Sequence, residues 1–163
     1  MILIAFGANQ SGVLGPPRAT IEAAMGNLAQ EAGKIVARSR FYRSSPVPDS
    51  TQPWYVNAVA ALDTRLAPEE LLALLHRIET RLGRVRREPN AARVIDLDLL
   101  DYNGFIRDQP PILPHPRMHA RAFVLLPLAE IAPGWNHPGL GLTVEQLIAR
   151  LPPDQTAEPI EDR

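Results

Sequence analysis

Hydrophobic residues recur along this chain with two different periods, and the places where the period changes mark its elements. Residues 1–6 (MILIAF) form an apolar run ending at Gly7-Ala8-Asn9, the pattern of a buried strand entering a turn. Past Gly12 and Gly15, Pro16-Pro17 can open a helix, because a proline early in the first turn removes no intrahelical bond. Ile21, Ala24, Met25, Leu28 and Ala32 then fall at helical spacing, and Gly33 is placed to end the helix. Residues 34–43 are expected to be a strand with Ile35, Ala37 and Phe41 on one side. Residues 44–53 cannot extend it, since their three prolines fix φ and remove ladder donors. A loop of that length is more often functional than idle.

Residues 54–64 alternate, with Val56, Ala58, Ala60 and Leu62 facing one way and Tyr55, Asn57 and Val59 the other. Pro68-Glu69-Glu70 starts a helix whose acids face the positive end of its dipole, and Leu71, Leu74, Leu75, Ile78 and Leu82 make its buried stripe up to Gly83. A basic, helix-breaking segment follows over residues 84–93. Residues 94–102 then alternate as a strand, with Ile95, Leu97 and Leu99 on one face, Asp96, Asp98 and Leu100 on the other, and Asp101 opposite the two aspartates. Asn103-Gly104 predicts a type I′ turn with Phe105-Ile106 returning as a short hairpin. Residues 110–116 read as an extended loop, 118–131 as a helix interrupted at Pro127, and 143–151 as a short helix capped by Thr143. Residues 152–163 are polar and read as a frayed tail. The order β, α, β, β, α, β predicts an α+β, ferredoxin-like βαββαβ sandwich with an added hairpin and a helical C-terminal extension, in one domain over residues 1–163.

Composition narrows what such a fold does. With 45% apolar and 21% charged residues the chain is of ordinary globular type, and a net charge of −1 argues against a broad polyanion-binding surface. It has no cysteine, so thiolate chemistry and disulfides are excluded. Residues 1–6 lack a basic flank and are too short for a signal peptide, and no run is long enough to span a membrane, so a cytoplasmic, soluble protein is expected. The chemistry concentrates in the segment 84–102. Side chains two apart on a strand point the same way and lie roughly 6–7 Å apart, so Asp96 and Asp98 present two carboxylates to one small volume. Hard oxygen ligands at that spacing suit Mg²⁺, which binds through one or two carboxylates plus substrate phosphates. The arginines just upstream can clamp those phosphates. Metal, phosphate and arginine together point to phosphoryl transfer, although alternating aspartates can also be no more than a solvated face.

In this order and spacing the segments resemble the 6-hydroxymethyl-7,8-dihydropterin pyrophosphokinase family of folate biosynthesis, from Ile4 to about Pro133. The resemblance is carried by Gly7-Ala8-Asn9, Phe41-Tyr42-Arg43-Ser44-Ser45-Pro46, Gln52-Pro53-Trp54-Tyr55-Val56-Asn57-Ala58, Arg77-Ile78-Glu79 with Gly83-Arg84-Val85-Arg86, Arg93-Val-Ile-Asp96-Leu-Asp98, Leu113-Pro-His115-Pro and Arg121-Ala-Phe123. It implies transfer of pyrophosphate from ATP to a pterin hydroxymethyl group with release of AMP, by a monomer acting on small molecules rather than on nucleic acid or membrane. By the same resemblance Asp96 and Asp98 hold two Mg²⁺ ions, and Arg84 and Arg93 join them as catalytic residues. Arg84, Arg86, Arg93, Leu99, His115 and Arg121 are expected at ATP, and Glu79 near the metal site. Ser44, Ser45, Val47, Tyr55, Asn57, Asp96 and Phe123 are expected at the pterin.

The chain departs from the family pattern at residues 88–92, where many members carry a tryptophan and a glycine ahead of the arginine matching Arg93. It also has Ala8 where serine is usual, and His76 at a variable position near the nucleotide base. Two other readings of the residues stand beside the resemblance. One is a metal-dependent phosphohydrolase on the same aspartates, which needs further ligands and a positioned water. The other is a ferredoxin-like RNA binder, which needs aromatics interleaved with basic residues on an open sheet face.

Overall fold

The computed structural model describes residues 1–48, 50–85 and 91–161. Among these, six strands, β1 (Ile2–Ala8), β2 (Gly33–Arg38), β3 (Tyr42–Ser44), β4 (Tyr55–Thr64), β5 (Asp96–Tyr102) and β6 (Ala157–Pro159), form one sheet. Its order is β5-β1-β4-β3-β6, with β2 also on β4, and every pairing is antiparallel. The fold is α+β, with helices on both faces. Under one face lie α1 (Pro17–Glu31) and α2 (Pro68–Arg81), packed on Ile4, Phe6, Ala58, Ala60, Leu62, Leu97 and Leu99. Over the other lie α3 (Ala122–Ile131) and α4 (Val144–Ala149) with Trp135, packed on Leu3, Ala5, Val59, Ala61 and Leu100. No helix among the described residues is long and apolar enough to cross a membrane.

The periodic elements form for the reasons their patterns give. β1 is buried along both faces because it is flanked by β4 and β5 and covered from each side. In α2, Pro68 occupies the first turn and the Glu70 carboxylate accepts from Ala67 N–H at the start of the helix, which buries Leu71, Leu74, Leu75 and Ile78. Thr143 caps α4 by accepting from Gln146 N–H.

Several expectations need correction. The strand expected over residues 34–43 is two strands. Ser39 keeps its backbone bond to Val59, but the Arg40 N–H leaves the ladder for the Glu130 carboxylate at 2.8 Å, which separates β2 from β3. A register shift between Ile35 and Ala37 also sends those two side chains to opposite layers. Gly33 begins β2 rather than merely ending α1, and only glycine fits there. Its φ is 154°, and a Cβ would lie 2.0 Å from the Asp63 carbonyl oxygen. The break expected at Pro127 falls instead at Arg121, between a 3₁₀ turn (Met118–Ala120) and α3, which carries Pro127 without interruption. Asn103 and Gly104 take positive φ as a type I′ turn requires, but no strand forms over residues 105–106, and the return is a single bridge from Arg107 to Leu113. Residues 152–161 do not fray: β6 adds to the edge of β3. Finally, β5 is bulged against β1, so that Ile4 faces Leu99 while Leu3 faces Asp101. The extra residue brings Asp101 round to the α3 side, where it accepts from Trp135 Nε1 at 2.8 Å, instead of pointing opposite Asp96 and Asp98.

Candidate active site

The site is a dent in the sheet where β1 has almost no side chain. Across three neighbouring strands Asn57, Gly7 and Asp96 lie in one row, and Val59, Ala5 and Asp98 in the next. Glycine and alanine on the middle strand leave the flanking polar side chains standing over a hollow. The helical layer covers this face only part of the way, and the segment before α3 and the loop after β3 wall off the remainder. The resulting cavity, about 220 Å³, is lined by Ser44, Ser45, Val47, Tyr55 and Asn57 on one side and by Arg93, Asp96, Asp98, His115, Arg121 and Phe123 on the other.

The acidic floor is tied to arginines. Asp96 Oδ1 accepts from Arg84 at 2.9 Å and Oδ2 from Arg93 at 3.0 Å. Arg84 also donates to Glu79, whose buried carboxylate accepts from Leu97 N–H at 2.9 Å, between the two aspartates. Asp98 is different: among the described residues nothing donates to it within hydrogen-bond distance, and His115 Nε2 stands 3.9 Å away. Burial, helped by the Asp96 charge, pushes the Asp98 carboxyl up to about 7. Two carboxylates on one strand face, one of them lacking a donor, make a donor set that fits a hard cation. Among the described residues no group of three or more His, Asp or Glu could hold an ion, so substrate and water oxygens would complete the coordination.

His115 is held through its backbone N–H to Leu100 O, and its Nδ1 accepts from Arg117 N–H at 3.1 Å, which leaves Nε2 to carry the proton of the neutral ring toward the cavity. Burial, with Arg121 and Arg117 nearby, lowers its pKa to about 4. Between pH 6.5 and 4 the unfolded chain therefore binds a proton there that the folded chain refuses. The stability this contributes is complete above pH 6.5 and disappears as the pH falls through 4. Asp98 works in the opposite sense, because its raised pKa contributes stability that is lost as the pH climbs through 7. Melting curves of His115→Asn should therefore show a shallower loss of stability than wild type between pH 6.5 and 4.5, the two differing by about 2 kcal/mol. Parallel curves would mean that the histidine titrates normally.

On the opposite wall Asn57 is 3% exposed, and its Nδ2 donates to Ser44 Oγ at 2.6 Å. Tyr55 is half-buried, and its burial raises the phenol pKa. Phe123 lies beneath the Arg121 guanidinium, 5.4 Å from ring centre to cation.

Two of the expected residues do not line this cavity. Leu99 belongs to the core layer beneath the sheet, 4% exposed and on the far face from Asp98, so its side chain cannot meet a ligand here. Arg84 is 16% exposed and bound down to Glu79 and Asp96 beneath the cavity rather than in its lining. Arg86 and, of the segment 88–92 that departs from the family pattern, residues 88–90 lie outside the described residues. Sequence reasoning passed over Arg117, which lines the cavity, and the supporting role of Asn9. Asn9 is buried, donates to Gln52 Oε1 and Pro53 O, and accepts from Arg93 N–H at 2.8 Å, so one side chain fixes both the 44–53 loop and the arginine. A polar residue closing an apolar strand was the available signal.

Glu79 offers a stability test. Glu79→Ala would leave Leu97 N–H without its acceptor and Arg84 with Asp96 as its remaining partner, and should cost about 2–3 kcal/mol in denaturant unfolding. Glu79→Gln keeps an acceptor for Leu97 and should cost clearly less; equal losses would remove the backbone bond from the explanation.

The family model for 7,8-dihydro-6-hydroxymethylpterin-pyrophosphokinase (HPPK) matches residues 3–133. A 2-amino-4-hydroxy-6-hydroxymethyldihydropteridine pyrophosphokinase of Methylorubrum extorquens is 44% identical over 142 residues, covering 86% of this chain and 89% of its own. The Pseudomonas aeruginosa protein of the same name is 41% identical over 153 residues, covering 93% of this chain and 91% of its own. The wild-type Plasmodium falciparum HPPK-DHPS crystal structure with STZ-DHP shares the fold over 91% of this chain, with a TM-score of 0.73 at 13% identity. This chain spans 42% of that longer protein. A match over residues 3–133, with relatives above 40% identity along nearly their whole length, establishes that the chain belongs to the 7,8-dihydro-6-hydroxymethylpterin-pyrophosphokinase family.

Proposed function

We propose that the protein transfers pyrophosphate from ATP to the hydroxymethyl group of 6-hydroxymethyl-7,8-dihydropterin, releasing AMP, in folate biosynthesis. The observation that carries this reading is the shared cavity, in which Asp96, Asp98, Arg93, His115 and Arg121 face Tyr55, Asn57 and Phe123. The hydroxymethyl oxygen forms a bond to the β-phosphorus while the bond from that phosphorus to the α,β-bridging oxygen breaks. AMP leaves with the electron pair, and the hydroxyl proton passes to solvent, since among the described residues no side chain is placed as an obligatory base. Displacement at phosphorus asks a protein chiefly for positioning and charge neutralisation.

Asp96 and Asp98 would hold Mg²⁺, two ions in this reading, and the bound metal would neutralise the triphosphate charge. Arg93 and Arg121 present guanidinium forks to phosphate oxygens, and neutral His115 offers Nε2–H to the same group. Arg84, anchored on Glu79, keeps Asp96 oriented. A pterin is a flat bicycle with a donor–acceptor edge like that of guanine. Tyr55 and Phe123 can stack on it, Asn57 reads its edge, Asp96 lies within reach, and Ser44, Ser45 and Val47 close the side.

The reading extends to a ferredoxin-like core with a helical extension, supported by the strand order β5-β1-β4-β3. It also takes residues 1–163 as one domain, acting as a cytoplasmic monomer on small molecules and not on nucleic acid or membrane. Incubation with ATP, Mg²⁺ and the pterin should produce AMP and pterin diphosphate in equal amounts. ADP or free phosphate would instead indicate a phosphohydrolase, and pterin binding without turnover a binding module.

A further inference from the structure

The C-terminal segment 152–160 lies beyond the residues that match the family, yet it touches both walls of the cavity. On one side Thr156 O accepts from Ser45 N–H at 3.1 Å, Ser45 Oγ accepts from Thr156 N–H at 3.4 Å, and Ala157 pairs with Ser44 in the β3–β6 ladder. On the other side the Gln155 side chain brackets Arg121: its Oε1 accepts from Ala122 N–H and its Nε2 donates to Ala120 O, each at 2.8 Å. Arg121 is extended (φ −119°, ψ 111°), and an extended residue turns the preceding carbonyl and the following N–H to the same side. The glutamine amide therefore binds Arg121's neighbours much as an added strand would. Ala122 N–H is a first-turn amide of α3, with no acceptor inside its own helix.

We propose that residues 152–160 are a positioning strap in which Gln155 holds the backbone of Arg121, while Thr156 and Ala157 hold Ser44 and Ser45, so that the two walls keep a fixed separation. Gln155 touches no ligand; it is a positioning residue that acts through Arg121. What the walls bind rests on the pyrophosphokinase reading above, with Arg121 on the side of the ATP phosphates. Loosening it should weaken ATP binding more than it slows the bound complex.

The test uses full-length Gln155→Ala beside Glu158→Ala, which breaks only the exposed Arg43–Glu158 pair on the same segment. Gln155→Ala should raise KM for ATP about fivefold, the worth of one such hydrogen bond, with kcat changed less than threefold, and Glu158→Ala should behave as wild type. Amide hydrogen exchange supplies a readout that does not depend on activity. The Ala122 amide should lose protection at least tenfold in Gln155→Ala, while the amides of β1 and β4 exchange as before. Unchanged Ala122 exchange would overturn the strap, as would a loss of protection spread evenly through the sheet or an equal KM effect from Glu158→Ala. If the wild type makes no AMP, the pyrophosphokinase reading fails, and the exchange data still decide whether the strap exists.

Discussion

Asp98→Ala is expected to lose turnover by about a thousandfold or more while pterin affinity changes by less than about threefold. The asymmetry follows from where Asp98 stands. It lies in the row of Val59 and Ala5, one step along the strands from the row of Asn57 that would read the pterin edge. The side chain has no hydrogen-bond donor among the described residues, so its removal breaks no internal bond of the floor. What it removes is half of the charge available to a divalent cation, and that charge matters most when negative charge redistributes over the phosphates in the transition state. The deletion also relieves like-charge crowding beside Asp96, so above pH 7, where Asp98 is charged, the free variant should melt no lower than wild type. Single-turnover kinetics and equilibrium pterin titration, with melting curves alongside, test both halves. Comparable losses in binding and turnover would show that Asp98 shapes the pterin subsite instead.

Arg93→Ala should slow the chemical step by about a hundredfold or more and leave the free protein's melting temperature nearly unchanged. The structure separates the two effects within one residue. The backbone of Arg93 is structural: its N–H goes to Asn9 Oδ1, and its carbonyl accepts from the N–H groups of Asn9 and Gln10. All of these survive truncation at Cβ. Among the described residues the side chain makes one ion pair, with Asp96, which retains Arg84 as a second partner. A guanidinium that is 30% exposed and shares its carboxylate contributes little to folding, yet it lines the cavity in which a polyphosphate would sit. Rapid-quench measurement of the chemical step, set against thermal melts, separates these contributions. A fall of many degrees in the melting temperature would make the side chain structural.

These expectations show how unevenly the molecule could be read from its residues. Where one face of an element is apolar, the period alone located it: the leucines of α2 and the alternating residues of β4 pack as their spacing requires. The reading faltered wherever a backbone group found its partner far away in sequence. Arg40 leaves the ladder because Glu130 is there to take its N–H, and no local pattern in residues 34–43 announces that. Residues 157–159 are too short and polar to signal a strand, and they pair only because β3 presents an open edge. The bulge in β5 adds one residue to the register, so Asp101 turned up on the face that strict alternation had denied it. Arg84 was legible as a cation near phosphate chemistry, whereas its burial against Glu79 depends on α2 lying beneath β5.

From the amino-acid order alone came the period of each element, the common face of Asp96 and Asp98, and a set of motifs specific enough to indicate the family, because all of these depend on neighbours a few residues apart. Tertiary structure decided that Gly7 and Ala5 lie between the aspartates and Asn57, leaving a hollow where a larger residue would have left none. It also brought residues 155–157 into hydrogen bonds with both walls of that hollow. Such features belong to pairings between strands and loops separated by tens of residues, which are selected by the packing of the whole chain and not by any single stretch of it.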